Sequence, residues 1–408
     1  MMKIFDYLIL VLYVGLLMFL ASCEKTEILS DDIIIEEEVD STIEYLTIPI
    51  DLSTPAENSK KTIPVVIINW IPSDDRRTVT DEVSRNLPDW ANVVYDDLSI
   101  TTVNKWILSN DKKVKYSIEE GSRFRGSIND ATPYIGIEVV KYINVYDMPI
   151  LKPNDGIQSS ETIIPDYHKL FEKLKMEELV NQGVKEIWFN WTNTGNIWVP
   201  ESNMSSPYTG DISNSYHREN DLPIYNSTYV VYGSVYDRWF AEMLHSRGHQ
   251  YEAQLAYLNS DFFWKKFVGY PEGPPQPYYQ GGKCGSTHYT PNSRHDYDYD
   301  HDEMIPSNIL DWDPDEGEST QIYVNNLTWK YPRNTNFTIP QISGHEKFKT
   351  HAEAIVGTDP QSGWLIYWFQ SIPSENNNIK YGEYDITNWW DIIFSWDETI
   401  EENTKLFQ

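Results

Sequence analysis

The chain has 408 residues and carries 62 acidic against 32 basic side chains, a formal net charge of -30. That balance excludes nucleic acid as a partner, because no basic stripe is present to displace the counterions of a phosphate backbone, and it disfavours anionic membrane surfaces for the same reason. With 2 cysteines but 15 Trp and 28 Tyr, the fold has to rest on aromatic core packing rather than on disulfides.

At the N-terminus, Lys3 and the apolar run from Tyr7 to Phe19 lead into Leu20-Ala21-Ser22-Cys23. The run is too short for a comfortable membrane span. Small residues directly before a cysteine are the pattern of a lipoprotein signal peptide, so residues 1–22 read as that peptide and Cys23 as the lipidated first residue of the mature chain. The membrane is then a partner through a lipid anchor. Residues 23–45 read as an acidic tether, with Asp31, Asp32, Glu36, Glu37 and Glu38 around Ile33, Ile34 and Ile35. This tether resembles the export signal of Bacteroidetes-type surface lipoproteins, which implies an outer-membrane protein facing outward.

Residues 46–408 are expected to form a single globular domain, least distinct over 46–114. Ile63 to Trp70 is a continuous β-branched run, as in a strand buried on both faces, and Ile135 to Val145 and Val184 to Trp191 have the same character. Between the last two, Pro165 to Gln182 has apolar residues at helical spacing and stops at Gly183, a C-cap signal. The order strand, helix, strand predicts an α/β (or α+β) layered core with a mixed sheet. Val230 to Leu258 reads as the longest helical candidate, with Tyr232 and Gly233 before its true start, and Gly269 to Gly282 as a loop. The final third, Cys284 to Gln408, reads as an irregular, aromatic-rich segment with short strands wrapped on the core.

The long helix carries Glu242, His245, His249 and Glu252 at steps of three, four and three residues, which puts them in one stripe on one face. Imidazole with carboxylate on a helix suits zinc, so His245, His249 and Glu252 are candidate metal ligands; a buried polar seam has the same pattern. Next, Cys284-Gly285-Ser286-Thr287-His288 offers a thiol near an imidazole. Cys284 is read as structural, and His288 as a third ligand or a general acid or base brought over by the fold. From His295 to Glu303 acidic and aromatic residues alternate. If extended, that segment presents its aspartates on one face, either as a solvated acidic loop or as a calcium site. Glu201, shortly after a predicted strand, is a candidate active-site acid. Asn388-Trp389-Trp390 and Trp396-Asp397 are candidates for an aromatic sugar platform, although adjacent tryptophans point different ways and one of them is expected in the core.

Taken together, Glu119 to Phe124, Gly183 to Trp188, Glu201-Ser202-Asn203-Met204, the Glu242 to Glu252 helix, Cys284-Gly285 to Pro291-Asn292, Asp296-Tyr297-Asp298 and Asn388-Trp389-Trp390 resemble an uncharacterised family of secreted bacterial and fungal proteins. The resemblance covers most of residues 115–397 and implies one integrated domain, without an activity. It also implies weight on Glu242, His249 and His288, since the position of His245 is acidic in some members of that family.

Two functions follow. In the first, the chain is a surface-anchored, metal-dependent hydrolase of extracellular peptide or glycan. Its site gathers Glu201, Glu242, His249, Glu252 and His288, with Glu242 or Glu252 as general base. In the second, it is a non-catalytic lipoprotein that binds glycan through its aromatic surface.

Overall fold

The computed structural model of the chain describes residues 42–80, 99–124, 132–147, 151–153, 163–191, 198–215, 217, 221–235, 240–270, 283–309, 312–315, 322–326 and 360–408. Cys23, the signal peptide, the tether up to Ser41 and most of the Gly269 to Gly282 loop lie outside the described residues. Thr42–Gln408 gathers into one compact unit.

In chain order the elements are β1 (Ile43–Tyr45), α1 (Ile50–Ser53), β2 (Lys61–Trp70), α2 (Ile100–Gly121), β3 (Ile135–Val145), the hairpin β4 (Leu151–Pro153) and β5 (Ile163–Pro165), α3 (Tyr167–Lys173) and α4 (Met176–Asn181). There follow β6 (Glu186–Trp191), β7 (Ser202–Ser205), β8 (Tyr229–Val235) and α5 (Phe240–Asp261), which runs into a π-helical turn over Phe262–Val268. The hairpin β9 (Ile305–Ser307) and β10 (Ile322–Val324) precedes α6 (Pro360–Phe369), the hairpin β11 (Lys380–Tyr381) and β12 (Tyr384–Asp385), α7 (Trp389–Phe394) and α8 (Trp396–Glu401).

Six strands form a mixed sheet in the order β1-β3-β2-β6-β8-β7. The inner four are parallel, and antiparallel β1 and β7 close its edges. Alternation along β2 divides the core in two. Val65 and Ile67 enter one apolar cluster, whereas Val66, Ile68 and Trp70 enter the other. Helices α3 and α4 cover the second face through Tyr167, Leu170, Phe171, Met176 and Val180. The first is covered by α2, α5 and α6, which pack on one another. The protein is therefore an α/β fold in three layers.

Three sequence expectations change. The predicted helix over Val230 to Leu258 begins as a strand, because Tyr229 to Tyr232 is buried on both faces and pairs with β6 in the sheet interior. The predicted helix over Pro165 to Gln182 is broken at Leu174-Lys175, where Lys175 takes φ 52°. The described residues of the C-terminal third hold the expected short strands and also three helices, α6, α7 and α8, that were not expected. Every residue from Trp364 to Phe369 is 0% exposed, so α6 is apolar around its whole circumference and sits inside the core, as such a helix must.

Beneath α5 lies a buried ion pair. Arg247 is 0% exposed, with its guanidinium 4.5 Å from the Trp188 ring centre and 4.3 Å from that of Tyr232. Its Nη1 donates to the Met243 carbonyl at 2.8 Å, and Nη2 stands 3.5 Å from Glu186 Oε2, which also accepts from Trp188 Nε1 at 2.7 Å. Burial pushes the Glu186 carboxyl up against the opposing pull of Arg247. At helical spacing, residue 247 lies opposite 245 and 249. The pair therefore fixes α5 to the sheet with its histidine face turned away.

Candidate metal centre

His245 and His249 stand one turn apart on α5, and His288 arrives on the segment after Cys284. Their three Nε2 atoms converge. The His245 to His249 separation is 2.9 Å, His249 to His288 is 2.9 Å, and His245 to His288 is 3.1 Å. This trio could hold a metal ion, and among the described residues it is the group of histidine, cysteine and acidic side chains that does so.

Behind each ring stands a partner for the other nitrogen. His249 Nδ1 faces Glu252 Oε2 at 3.0 Å, and His288 Nδ1 faces Asp296 Oδ1 at 2.8 Å. A carboxylate only accepts, so both Nδ1 atoms carry the proton and both Nε2 atoms turn a lone pair inward. His245 Nδ1 lies 3.4 Å from the Gln361 side-chain amide. Turning that amide over places its oxygen on Nδ1–H and directs the third lone pair inward as well. Three lone pairs about 3 Å apart repel unless a cation lies among them, and outer partners of this kind are what orient imidazole ligands on a metal.

The electrostatics agree with neutral ligands at two positions. Burial, with the charges of His249 and His288, pushes His245 down to about 2. Burial and His249 also lower His288, against the pull of Glu252 and Asp296. At His249 burial opposes protonation, but the hydrogen bond and charge of Glu252, helped by Glu201 and Asp296, outweigh it and the pKa is raised. Of the three rings, His249 therefore takes an added proton first.

The segment bearing His288 is fastened along its length. Cys284 N and Gly285 N donate to Phe267 and Val268 carbonyls, and Thr287 N donates to Glu252 Oε1 at 2.7 Å. From α6, Trp364 Nε1 and Trp368 Nε1 donate to the carbonyls of Ser286 and Gly285. Gly248, between the two helical histidines, permits the close approach. A Cβ built there would lie 2.4, 2.9 and 3.2 Å from the three side-chain heavy atoms of Thr287.

The predicted site residues therefore divide. His245, His249 and His288 come together. Glu252, expected as a ligand or a base, holds His249 and the Thr287 amide instead, so its carboxylate is committed to positioning. Glu201 reaches the trio, with Oε2 3.9 Å from His249 Nε2 and steadied by Asn214 Nδ2 at 2.6 Å. Glu242 is half-buried on the same helix, and its charge bears on Tyr297. Cys284 is 0% exposed, inside the larger apolar cluster.

Two expectations fail on geometry. The segment from His295 to Glu303 is a series of turns and bends rather than a strand. Its aspartates serve separate partners: Asp296 holds His288, Asp298 accepts from Arg294 N, and Asp300 accepts from Asn326 Nδ2. They do not gather as a calcium site. Nor do Trp389, Trp390 and Trp396 form a platform, because the first two are 0% exposed and the third 3%. Sequence reasoning missed Gln361, Thr287, Gly248 and Tyr297. A glycine between two histidines on a helix was the available signal for Gly248; Gln361, 112 residues beyond His249, carried none.

No protein-family model matches the chain, and neither do curated protein sequences or solved structures. Among the described residues no helix is long and apolar enough to cross a membrane.

Gly248→Ala is expected to destabilise the fold by about 1 kcal/mol, since overpacking by roughly 1–3 kcal/mol exceeds the gain of up to about 1 kcal/mol in helix propensity. It should also weaken metal uptake at least tenfold by displacing Thr287 and His288; unchanged uptake, measured by titration, would show that the approach is not tight. In chelator-treated protein His245 contributes a loss of stability on acidification. Its folded pKa lies below the unfolded value near 6.5, so the unfolded chain binds the proton first and stability falls as pH drops below about 6.5. His249 acts in the opposite sense, contributing stability below about 6.5 that disappears as pH rises through its raised folded value. Urea unfolding at pH 7 and pH 5 should show His245→Leu relieved of about 2 kcal/mol of the wild-type acid loss, and equal losses in the two proteins would refute the assignment.

Proposed function

We propose that the protein is a hydrolase of extracellular peptide or glycan that works with one divalent ion, zinc in the first instance, held by His245, His249 and His288. The observation that carries this reading is the convergence of the three Nε2 atoms, each imidazole backed at Nδ1 by Glu252, Asp296 or Gln361. Tetrahedral zinc at about 2.0–2.1 Å from nitrogen needs roughly 3.3–3.4 Å between ligand atoms, so each imidazole has to part from the others by only a few tenths of an ångström.

Three neutral imidazoles leave an open position on the ion, which acidifies water and polarises a carbonyl when bound. Glu201 is the general base in this scheme. Its carboxylate is exposed enough to meet water, stands 3.9 Å from the His249 nitrogen and has no second duty of the kind that occupies Glu252. Its Oε2, the atom that faces His249, accepts from the Asn214 amide and keeps a second lone pair to take a proton. Trp389, Trp390 and Trp396 are buried, so these three tryptophans lend no support to a glycan-binding role.

Metal analysis of the purified protein by mass spectrometry should find about one zinc per chain, lost in His249→Ala with the fold retained. Glu201→Gln should keep the metal and lose roughly 10²- to 10⁴-fold in turnover of casein or of a glycan substrate. A metal-free wild-type protein, or full activity in Glu201→Gln, would sink the reading.

The proposal places this site at the outer face of an outer membrane, anchored by lipid on Cys23, and rests there on Leu20-Ala21-Ser22-Cys23 and the acidic residues that follow. Cys23→Ser should move the protein from the membrane fraction to the soluble fraction; persistent membrane association of that variant would overturn the anchor.

A further inference from the structure

Tyr297 is held in an unusual way beside the three histidines. Its ring lies 4.4 Å from the His288 ring and 5.5 Å from the His245 ring, the latter nearly parallel at 14°. Its backbone has φ 61°, a conformation that a bulky aromatic residue adopts only where surroundings enforce it, and such positions cluster at functional sites. The enforcement is visible. Tyr297 N donates to the His288 carbonyl, Tyr299 N donates to the Tyr297 carbonyl, and Tyr299 OH, reaching past it, donates to the Thr287 carbonyl.

With one face against the imidazoles, the ring is still 49% exposed. A phenol keeps its proton through the neutral range, so the hydroxyl is a hydrogen-bond donor. Glu201, 3.9 Å from His249 Nε2, and Asp296, 2.8 Å from His288 Nδ1, set two carboxylates beside the trio, which favours an uncharged over an anionic substrate.

We propose that Tyr297 is a catalytic hydrogen-bond donor which stabilises the oxyanion formed when an uncharged acyl group, an amide or ester, is hydrolysed beside the histidine trio. This rests on the metal-centre reading above and narrows its substrate to a carbonyl compound rather than a glycosidic acetal. Water oxygen bonds to the carbonyl carbon while Glu201 takes its proton. The carbonyl π pair moves to oxygen, which accepts the Tyr297 O–H hydrogen bond without receiving the proton. On collapse the bond from carbon to the leaving nitrogen or oxygen breaks, the pair leaves with that atom, and Glu201 returns the proton to it. A glycoside has no carbonyl oxygen on which such a donor could act.

The test uses cobalt-loaded full-length protein and acetohydroxamate, a small mimic of the oxyanion, with binding followed by the visible cobalt spectrum. Tyr297→Phe keeps the ring against the histidines and removes only the hydroxyl. It should bind acetohydroxamate roughly 10- to 100-fold more weakly with cobalt content unchanged. Equal affinity in the two proteins would overturn the proposal while leaving the metal centre intact, as would a variant that loses its cobalt, since the hydroxyl would then be structural. Absence of cobalt uptake by the wild type would instead overturn the metal reading and this one with it. Acetate release from N-acetylated chitooligosaccharide and cleavage of casein then separate a sugar N-acyl source of the amide from a peptide one, and hydrolysis of nitrophenyl glycosides with neither would again overturn it.

Discussion

The site depends on the rotation of one helix about its axis, and Arg247 sets that rotation. A guanidinium 0% exposed cannot be left unpaired, and here it is sandwiched by Trp188 and Tyr232 and faces Glu186. A planar cation with weak hydration suits such a slot better than an ammonium would. Breaking a buried pair of this kind by deleting one partner costs about 3–5 kcal/mol, because the other charge stays buried. The turn of helix that carries Arg247 toward the sheet carries His245 and His249 away from it. Any roll that moved the histidines would have to pull the arginine from its aromatic slot.

The second constraint is the close seating of the His288 segment on that helix. It combines a missing Cβ at Gly248, a carboxylate at Glu252 that serves both His249 and the Thr287 amide, and two indole donors from α6. Each alone is worth a modest amount, about 1 kcal/mol for an ordinary hydrogen bond. Jointly they hold a segment that lacks regular secondary structure as firmly as a strand. The aromatic wealth of the chain is spent here: α6 carries Trp364 and Trp368 into the core with their N–H groups aimed at the backbone that presents His288, so core packing and site geometry share the same side chains.

Parts of this were legible in the residues. The β-branched runs at Ile63 to Trp70 and Ile135 to Val145 gave two strands within a residue or two, because a strand buried on both faces has few competing readings. The stripe of His245 and His249 was visible from helical spacing, which is a local property. Val230 to Leu258 was misjudged where Tyr229 to Val235 lies in the sheet, since short apolar runs suit either period and only neighbouring β6 decides between them. The paired tryptophans at 389 and 390 were misjudged for a similar reason: an indole stacks equally well on a sugar or in a core.

By itself, then, the sequence determined the layered α/β class, the strand cores, the pairing of two imidazoles on one helix face and the nearness of a carboxylate at Glu252. Those follow from periodicity and composition, which act over a few residues. Only the tertiary structure decided that His288 completes the trio, that Glu252 and Asp296 stand behind the rings rather than among the ligands, and that Glu201 faces the trio from the sheet edge. Those relations join residues tens to more than a hundred positions apart. They are fixed by the burial of Arg247, the absent side chain of Gly248 and the reach of two tryptophans, none of which leaves a period in the chain.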